Sequence, residues 1–330
     1  MAQPIWLDTT VVLRATASRR WWRIRKGVSD VIFTGYAFPA PGDDLPEVRI
    51  NDICASFLPA VFPLEGADTV GAGFYVDAWD GSDWQQQLYV VFCRDWSYGR
   101  TAVDTSAAGA FSAPVAKLVH KDGYLPVYSP GGSGSATLKL IPPGSGDFNG
   151  DYNQDFLDGV PTTVELEWTD ASGDWKMLDL SDYEGLYEVD ANGLVYKVAN
   201  LCGGYVLYYL NALGGWDALP VTGRVIRSED YARHTVETVY NNASVMARGK
   251  RDYVTEITPR YRLNVGPLSS DDAARIGQLT GSTLVYLHDI VAGEIRPVVL
   301  TGGAVEIKDR RGALHTYEIT AALAQNRIRR

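Results

Sequence analysis

A mainly β protein, built as two to three β-sandwich or split-barrel-like units with a few short helices, is the fold this sequence predicts. Three observations carry the prediction. Among 330 residues there are 33 glycines and 16 prolines, which make tight turns, and 19 tyrosines and 9 tryptophans, which suit a half-buried pleated surface. Apolar residues recur with period two in short runs bounded by turn residues. The length also exceeds the ~100–200 residues of an ordinary domain, so more than one core is expected.

The first unit is expected over residues 1–130. Its strands are Val11-Val-Leu13, Trp22-Arg-Ile-Arg25, Val31 to Phe38 and Glu47-Val-Arg-Ile50. In Arg19-Arg-Trp-Trp-Arg-Ile-Arg-Lys26 the basic and aromatic residues interleave as in a single-strand nucleic-acid binder. Read with period two, Trp22, Ile24 and Lys26 fall on one face and Trp21, Arg23 and Arg25 on the other, the pattern of an edge strand. Asn51 to Leu58 reads as a short helix, capped by Asn51, with Ile53, Phe57 and Leu58 inward and Pro59 as its stop. Gly73 to Trp79 and Gln87 to Cys93 then form a hairpin across Asp80-Gly81.

Pro130-Gly-Gly-Ser-Gly-Ser135 is the clearest flexible punctuation, and it opens a middle β-sandwich over residues 131–250. The strands there are Ala136 to Ile141, Thr163 to Trp168, Trp175 to Leu178, Leu194 to Val198 and Tyr205 to Leu210, with turns at Ala171 to Asp174 and Ala191-Asn-Gly193. The third unit, residues 251–330, holds a strand from Tyr253, one short helix and a closing hairpin and strand. Ser269 or Ser270 caps that helix, Asp271 and Asp272 sit in its first turn near the positive end of the dipole, and Gly281 ends it after Leu279.

Motifs for chemistry are sparse. His120, His234, His288 and His315 have no chelating spacing, and Gly131 to Thr137 lacks the lysine of a phosphate-binding loop. Asp147-Phe-Asn-Gly-Asp-Tyr-Asn-Gln-Asp-Phe-Leu-Asp158 places oxygen side chains at calcium-loop positions. Tyr152 occupies the place of the turn glycine and Asp158 that of the bidentate glutamate, so the string reads as an acidic solvated loop. Glu165 and Glu167 share a strand face as a glycosidase pair would, but Val164, Leu166 and Trp168 opposite them describe a solvated side and a buried side. No catalytic, cofactor-binding or metal-ligating residue is therefore assigned.

Several segments together resemble a family of tail-associated structural proteins of tailed phages and prophages of Bacteroidetes bacteria. They are Pro4-Ile-Trp-Leu-Asp8, Ile32-Phe-Thr-Gly-Tyr-Ala37, Val48-Arg-Ile-Asn-Asp-Ile-Cys54, Tyr205 to Asp217, Val285-Tyr-Leu-His-Asp289 and Ile295-Arg-Pro-Val298. The C-terminal order of strand, helix, hairpin and strand is similar to the hub or belt domain of distal tail proteins, whose rings connect the tail tube to the baseplate. The resemblance implies a non-enzymatic virion component without cofactor. It also implies a homo-oligomeric ring, a hexamer, that contacts the adjacent tail-tube and baseplate or tail-fibre proteins. Trp21, Trp22 and Leu207 to Trp216 are anchors for a core or an interface, and Arg327, Arg329 and Arg330 are contacts for acidic neighbours.

The totals agree with that expectation. A formal charge of −10 repels nucleic-acid phosphate and anionic lipid, so neither is an expected partner of the whole surface. Cys54, Cys93 and Cys202 lack CxxC spacing, which fits a reducing compartment rather than a disulfide framework. The start at Met1 has no secretory pattern and no run approaches the ~20 apolar residues of a membrane span, so synthesis in the host cytoplasm and residence in the virion tail are expected. Two other classes stay open. One is a receptor-binding or carbohydrate-recognition module stacking sugars on tryptophans of the middle sandwich; Trp79, Trp84, Trp96, Trp168 and Trp175 are of the type that stacks on sugar rings, although large aromatics in small β-sandwiches are more often core or interface anchors. The other is a cell-wall glycan hydrolase, which needs two carboxylates converging in a cleft.

Overall fold

The structure is a computed structural model. It describes residues 3–6, 10–13, 20–27, 29–50, 53–54, 57, 71–92, 117–129, 133–141, 162–169, 175–201, 204–211, 215–238, 249–268, 270–301, 315–325 and 327–329. The chain is mainly β, as the sequence predicts, with strands gathered into several sheets and a helix, α1, at Ser270–Thr280.

The first sheet contains β1 (Gln3–Trp6), β3 (Arg20–Lys26), β4 (Asp30–Ala37), β6 (Gly71–Trp79) and β7 (Trp84–Phe92) in the order β1-β7-β6-β3-β4. A short ladder of β2 (Thr10–Val12) and β5 (Glu47–Arg49) packs on it. Leu13, Val48, Ile50 and Cys54 from the ladder side meet Trp22, Ile24, Phe74, Val76 and Ala78 from the sheet in one core. Strand β3 is interior, bonded to both β4 and β6, and not the edge strand its charges suggest. On that face Asp77 accepts from both Arg23 and Arg25. In the expected helix of residues 51–58, Ile53 and Cys54 are helical, and the buried side chain is Cys54 while Phe57 is exposed. Burial pushes the Cys54 thiol up to about 12.

The second sheet holds β8 (Lys117–His120), β10 (Gly134–Leu140), β11 (Thr162–Trp168), β13 (Leu186–Ala191) and β14 (Leu194–Ala199), ordered β11-β10-β13-β14-β8 with β8 parallel to β14. Facing it lies a ribbon of β9 (Tyr124–Tyr128) and β12 (Trp175–Asp179). Between β13 and β14 the turn is Asn192-Gly193, with φ of 51° and 80°, the left-handed pair of a two-residue hairpin. Asn192 also donates from Nδ2 to the Tyr128 carbonyl at 3.0 Å and accepts from the Ser135 amide at 3.2 Å, pinning the ribbon to the sheet.

The third sheet, of eight strands, contains β15 (Tyr205–Leu210), β16 (Trp216–Val221), β17 (Val225–Thr238), β18 (Gly249–Leu268), β19 (Val285–Asp289), β20 (Glu294–Leu300), β21 (His315–Leu323) and β22 (Arg327–Arg329). Its order is β16-β15-β19-β20-β21-β18-β17, with β22 on β18. On one face Leu207, Tyr209, Val285 and Ile319 close over Ile276 and Leu279 of α1. On the other, Val206, Tyr208, Leu210 and Trp216 pack on Tyr128 and Trp175 of the ribbon.

Sheet membership does not follow the boundaries read at residues 130 and 250. Strands β8 and β9 precede residue 130 yet pair within the middle unit, and β15 to β17 precede residue 250 yet belong to the last sheet. Gly134 and Ser135, read as linker, begin β10. The ribbon is buried on both faces: Leu125, Val127 and Leu178 enter the core of the second sheet, while Tyr128 and Trp175 enter that of the third. Strands covered on both sides lose the polar alternation by which a sequence announces them.

Candidate functional site

Two exposed features stand out from the cores. The first is an arm. Strand β21 pairs with β18 over Arg260 to Leu268, so Glu229 to Thr238 of β17 and the matching part of β18 run on past it. At ~3.3 Å per residue that projection is about 30 Å long. Every described side chain from Asp230 to Val236 is exposed, and Tyr231 and Tyr253 expose 55% and 57% of their surface. Beyond β17 there is no further strand in the sheet order among the described residues, so its outer edge is open.

The ion pairs of the arm run between its own two strands. Arg260 Nε lies 2.6 Å from Asp230 Oδ2, and Arg233 and His234 lie 3.4 Å from Asp252 and Glu256. All these side chains are 40% exposed or more, so each pair contributes at most about 1 kcal/mol. Strand β22 pairs with Thr255 to Ile257, partway along the arm, which fixes the backbone of Arg327 and Arg329. These arginines are therefore not on the freely reaching terminus expected from the sequence; Arg330 lies outside the described residues.

The second feature is the outer face of the first sheet. Tyr36 stands opposite Trp21, Trp79 stands opposite Trp84, and the pairing of Trp22 with Ala78 brings Trp21 beside Trp79. One aromatic row thus crosses β4, β3, β6 and β7. Trp21 stacks on Tyr36 with centroids 5.9 Å apart and 16° between planes, and Trp84 lies 5.8 Å from Trp21 and 5.3 Å from Trp79. Tyr36 is 62% exposed and Trp21 42%. The next row holds Thr34, Arg23, Asp77 and Gln86. Arg23 Nε and Arg25 Nε both donate to Asp77 Oδ2 at 2.7 Å, and the Arg23 guanidinium lies 4.1 Å from the centre of the Trp84 ring.

At the end of the row Asp80 organises the hairpin turn. The amide of Asp83, then that of Ser82, donates to Asp80 Oδ1, each at 2.8 Å, and holds its carboxyl well below the usual carboxylate range. Among the described residues no group of three His, Cys, Asp or Glu side chains converges as a metal site would, and no helix is long and apolar enough to cross a membrane.

The buried polar groups tie units together. Asp217 of β16 meets Lys117 of β8 at 2.8 Å and Arg275 of α1 at 3.1 Å, all three nearly inaccessible. Burial alone would raise the Asp217 carboxyl, but the Lys117 and Arg275 charges outweigh it and hold it low. Nearby, His288 packs between Tyr124 and Tyr208, and burial pushes its imidazole below the ordinary histidine value. His120 is buried and bonded to the Leu201 carbonyl and the Asp122 amide, whereas His234 is exposed on the arm.

The residues singled out from sequence are distributed widely. Trp168 and Trp175, of the type that stacks on sugar rings, are core residues 6% and 3% exposed, and Trp168 spends its N–H on Ser129 Oγ. Trp79 and Trp84 do share an outer face, in the first sheet rather than the middle one. Trp22 and the described residues of Leu207 to Trp216 are core, and Trp21 is surface. Glu165 and Glu167 are exposed, with Glu165 accepting from Thr137 Oγ1 at 2.9 Å. The loop 147–158, the turn 171–174, Trp96, Cys93 and Cys202 lie outside the described residues. Sequence reading missed Asp77; a lone carboxylate sharing the period-two face of Tyr75 and Trp79 was its signal.

No family model matches this chain, and no curated protein matches it. Among solved structures, a mutant of Salmonella alpha-2-macroglobulin is similar over 99% of this chain and 20% of that one, at 8% identity and a TM-score of 0.20.

Proposed function

We propose that this chain is a non-enzymatic structural subunit of a phage tail that assembles with copies of itself and with neighbouring virion proteins. The distal tail or baseplate hub ring, sixfold and set between the tail tube and the host-recognition apparatus, is the form its sequence resemblance suggests. The observation that supports an assembly role is the arm of β17 and β18, which runs about 30 Å past β21 and is two-stranded over its last five residue pairs, beyond β22. A lone two-stranded ribbon gains little stability by itself, so a long one with exposed tyrosines is explained by a surface it lies on.

The energetics set what the arm must meet. Tyr231, Val236 and Tyr253 are each at least 46% exposed, Tyr231 and Val236 on opposite faces, and covering one face contributes roughly 2–4 kcal/mol. Association of free subunits costs about 4–15 kcal/mol, so the arm alone does not hold an assembly. Closing a ring adds a second contact per subunit and backbone bonds along the open edge of β17.

Light scattering and negative-stain imaging of the purified chain, alone and with a phage tail-tube protein, test the proposal. Concentration-dependent rings or a stable complex are expected, lost on Tyr231→Asp with Tyr253→Asp while the melting temperature holds. A strict monomer at high concentration that binds no tail protein sinks the proposal.

A further inference from the structure

We infer that the outer face of the first sheet is a saccharide-binding platform, selective for chains that carry carboxylate groups. The inference uses none of the arm's residues, so it stands or falls separately from the assembly proposal.

Aromatic rings and hydrogen-bonding groups alternate there in rows across the strands. Tyr36, Trp21, Trp79 and Trp84 make the aromatic row. It spans three interstrand steps, about 14 Å, which suits an oligosaccharide lying along it rather than one small sugar. The apolar face of a pyranose ring stacks on an aromatic ring, and the hydroxyls around its rim need donors and acceptors just beside that ring. Thr34 and Gln86 supply these, both exposed and two residues along from the aromatic row, on the same face.

Charge selects the ligand. Two guanidinium groups, Arg23 and Arg25, share the single carboxylate of Asp77 beside the rings. Arg25 is enclosed, with a side chain 6% exposed, whereas that of Arg23 is 26% exposed. Among the described residues Arg23 gives its Nε to Asp77, and its two terminal nitrogens are the fork from which a ligand carboxylate would accept. Stacking on Trp84 and the bond to Asp77 set the plane of that fork in advance, so little order is lost on binding.

A protein partner fits less well. The centre of a protein interface is depleted in charge, yet here the arginines and Asp77 lie next to the most exposed rings. Single-stranded nucleic acid also stacks on aromatics and meets the same −10 charge of the chain as an acidic saccharide does, so oligothymidylate is the competitor the titration must separate.

The test is calorimetric titration of the full chain with polygalacturonate, alginate and hyaluronan oligosaccharides, with neutral dextran and with single-stranded oligothymidylate. Binding of at least one acidic saccharide is expected, and not of dextran or oligothymidylate. Tyr36→Ala is expected to weaken it about tenfold with the melting temperature unchanged, since the ring is mostly exposed. Arg23→Gln is expected to weaken the acidic ligand to a similar degree. The inference is overturned if none of the acidic saccharides binds, if dextran or oligothymidylate binds as tightly, or if neither substitution changes the affinity.

Discussion

Lys117 and Asp217, a hundred residues apart in sequence, meet at 2.8 Å with almost no access to water. Their ion pair joins β8 of the second sheet to β16 of the third, and Arg275 brings α1 to the same carboxylate. Asp217→Asn removes the carboxylate charge that both Lys117 and Arg275 meet, and removing one partner of such a cluster costs about 3–5 kcal/mol. Lys117→Met is expected to cost clearly less, because Arg275 still neutralises Asp217. Urea unfolding of both variants checks the order; equal losses contradict it.

Acid is expected to weaken the fold through His288. Burial holds its imidazole below the ordinary 6.5, with His120 adding to the depression and Asp289 and Asp179 opposing it; Tyr124 and Tyr208 complete its surroundings. A base whose folded value is depressed leaves the unfolded chain holding more protons below 6.5. Its contribution is therefore complete above 6.5 and lost as pH falls below it. Urea midpoints measured from pH 8 to pH 5 are expected to decline, and His288→Gln to flatten that decline; an unchanged slope in the variant contradicts the assignment.

Hydrogen exchange is expected to separate the arm from the sheet it leaves. Amides of Asp230 to Val236 lie on an open, exposed strand, whereas those of Leu207 to Tyr209 are enclosed on both faces. In dispersed protein the first set is expected to exchange orders of magnitude faster than the second. Slowing of the arm amides on assembly supports the proposed contact; equal rates in both states count against it.

Two glycines of positive φ are expected to differ. Gly193, at φ 80°, has open space where a Cβ would go, so Gly193→Ala costs only the backbone strain, about 1–2 kcal/mol. At Gly185, φ 73°, a Cβ would lie 1.9 Å from the Ile141 carbonyl oxygen, so the chain itself must shift. Thermal melts are expected to show the larger loss for Gly185→Ala.

Much of the local structure is written in the sequence. The alternation Trp21, Arg23, Arg25 against Trp22, Ile24 marks a strand, Asp80-Gly81 and Asn192-Gly193 mark their hairpins, and Ser270 to Gly281 marks the helix. What the sequence conceals is long-range pairing. The parallel partners of β1 and β8 are β7 and β14, more than seventy residues on, and nothing local names them. The aromatic platform follows the same rule: Trp21 and Trp84 are visible separately, but only register across β3, β6 and β7 puts them side by side.

The doubly enclosed ribbon of β9 and β12 means that the middle and last sheets cannot be peeled apart cheaply. A fragment stopped after β14 would bare Tyr128 and Trp175 to water, and one started at β15 would bare Tyr208 and Trp216. Residues 117–329 are thus expected to melt as a single calorimetric event, with mechanical strain applied at the arm shared by every layer beneath it.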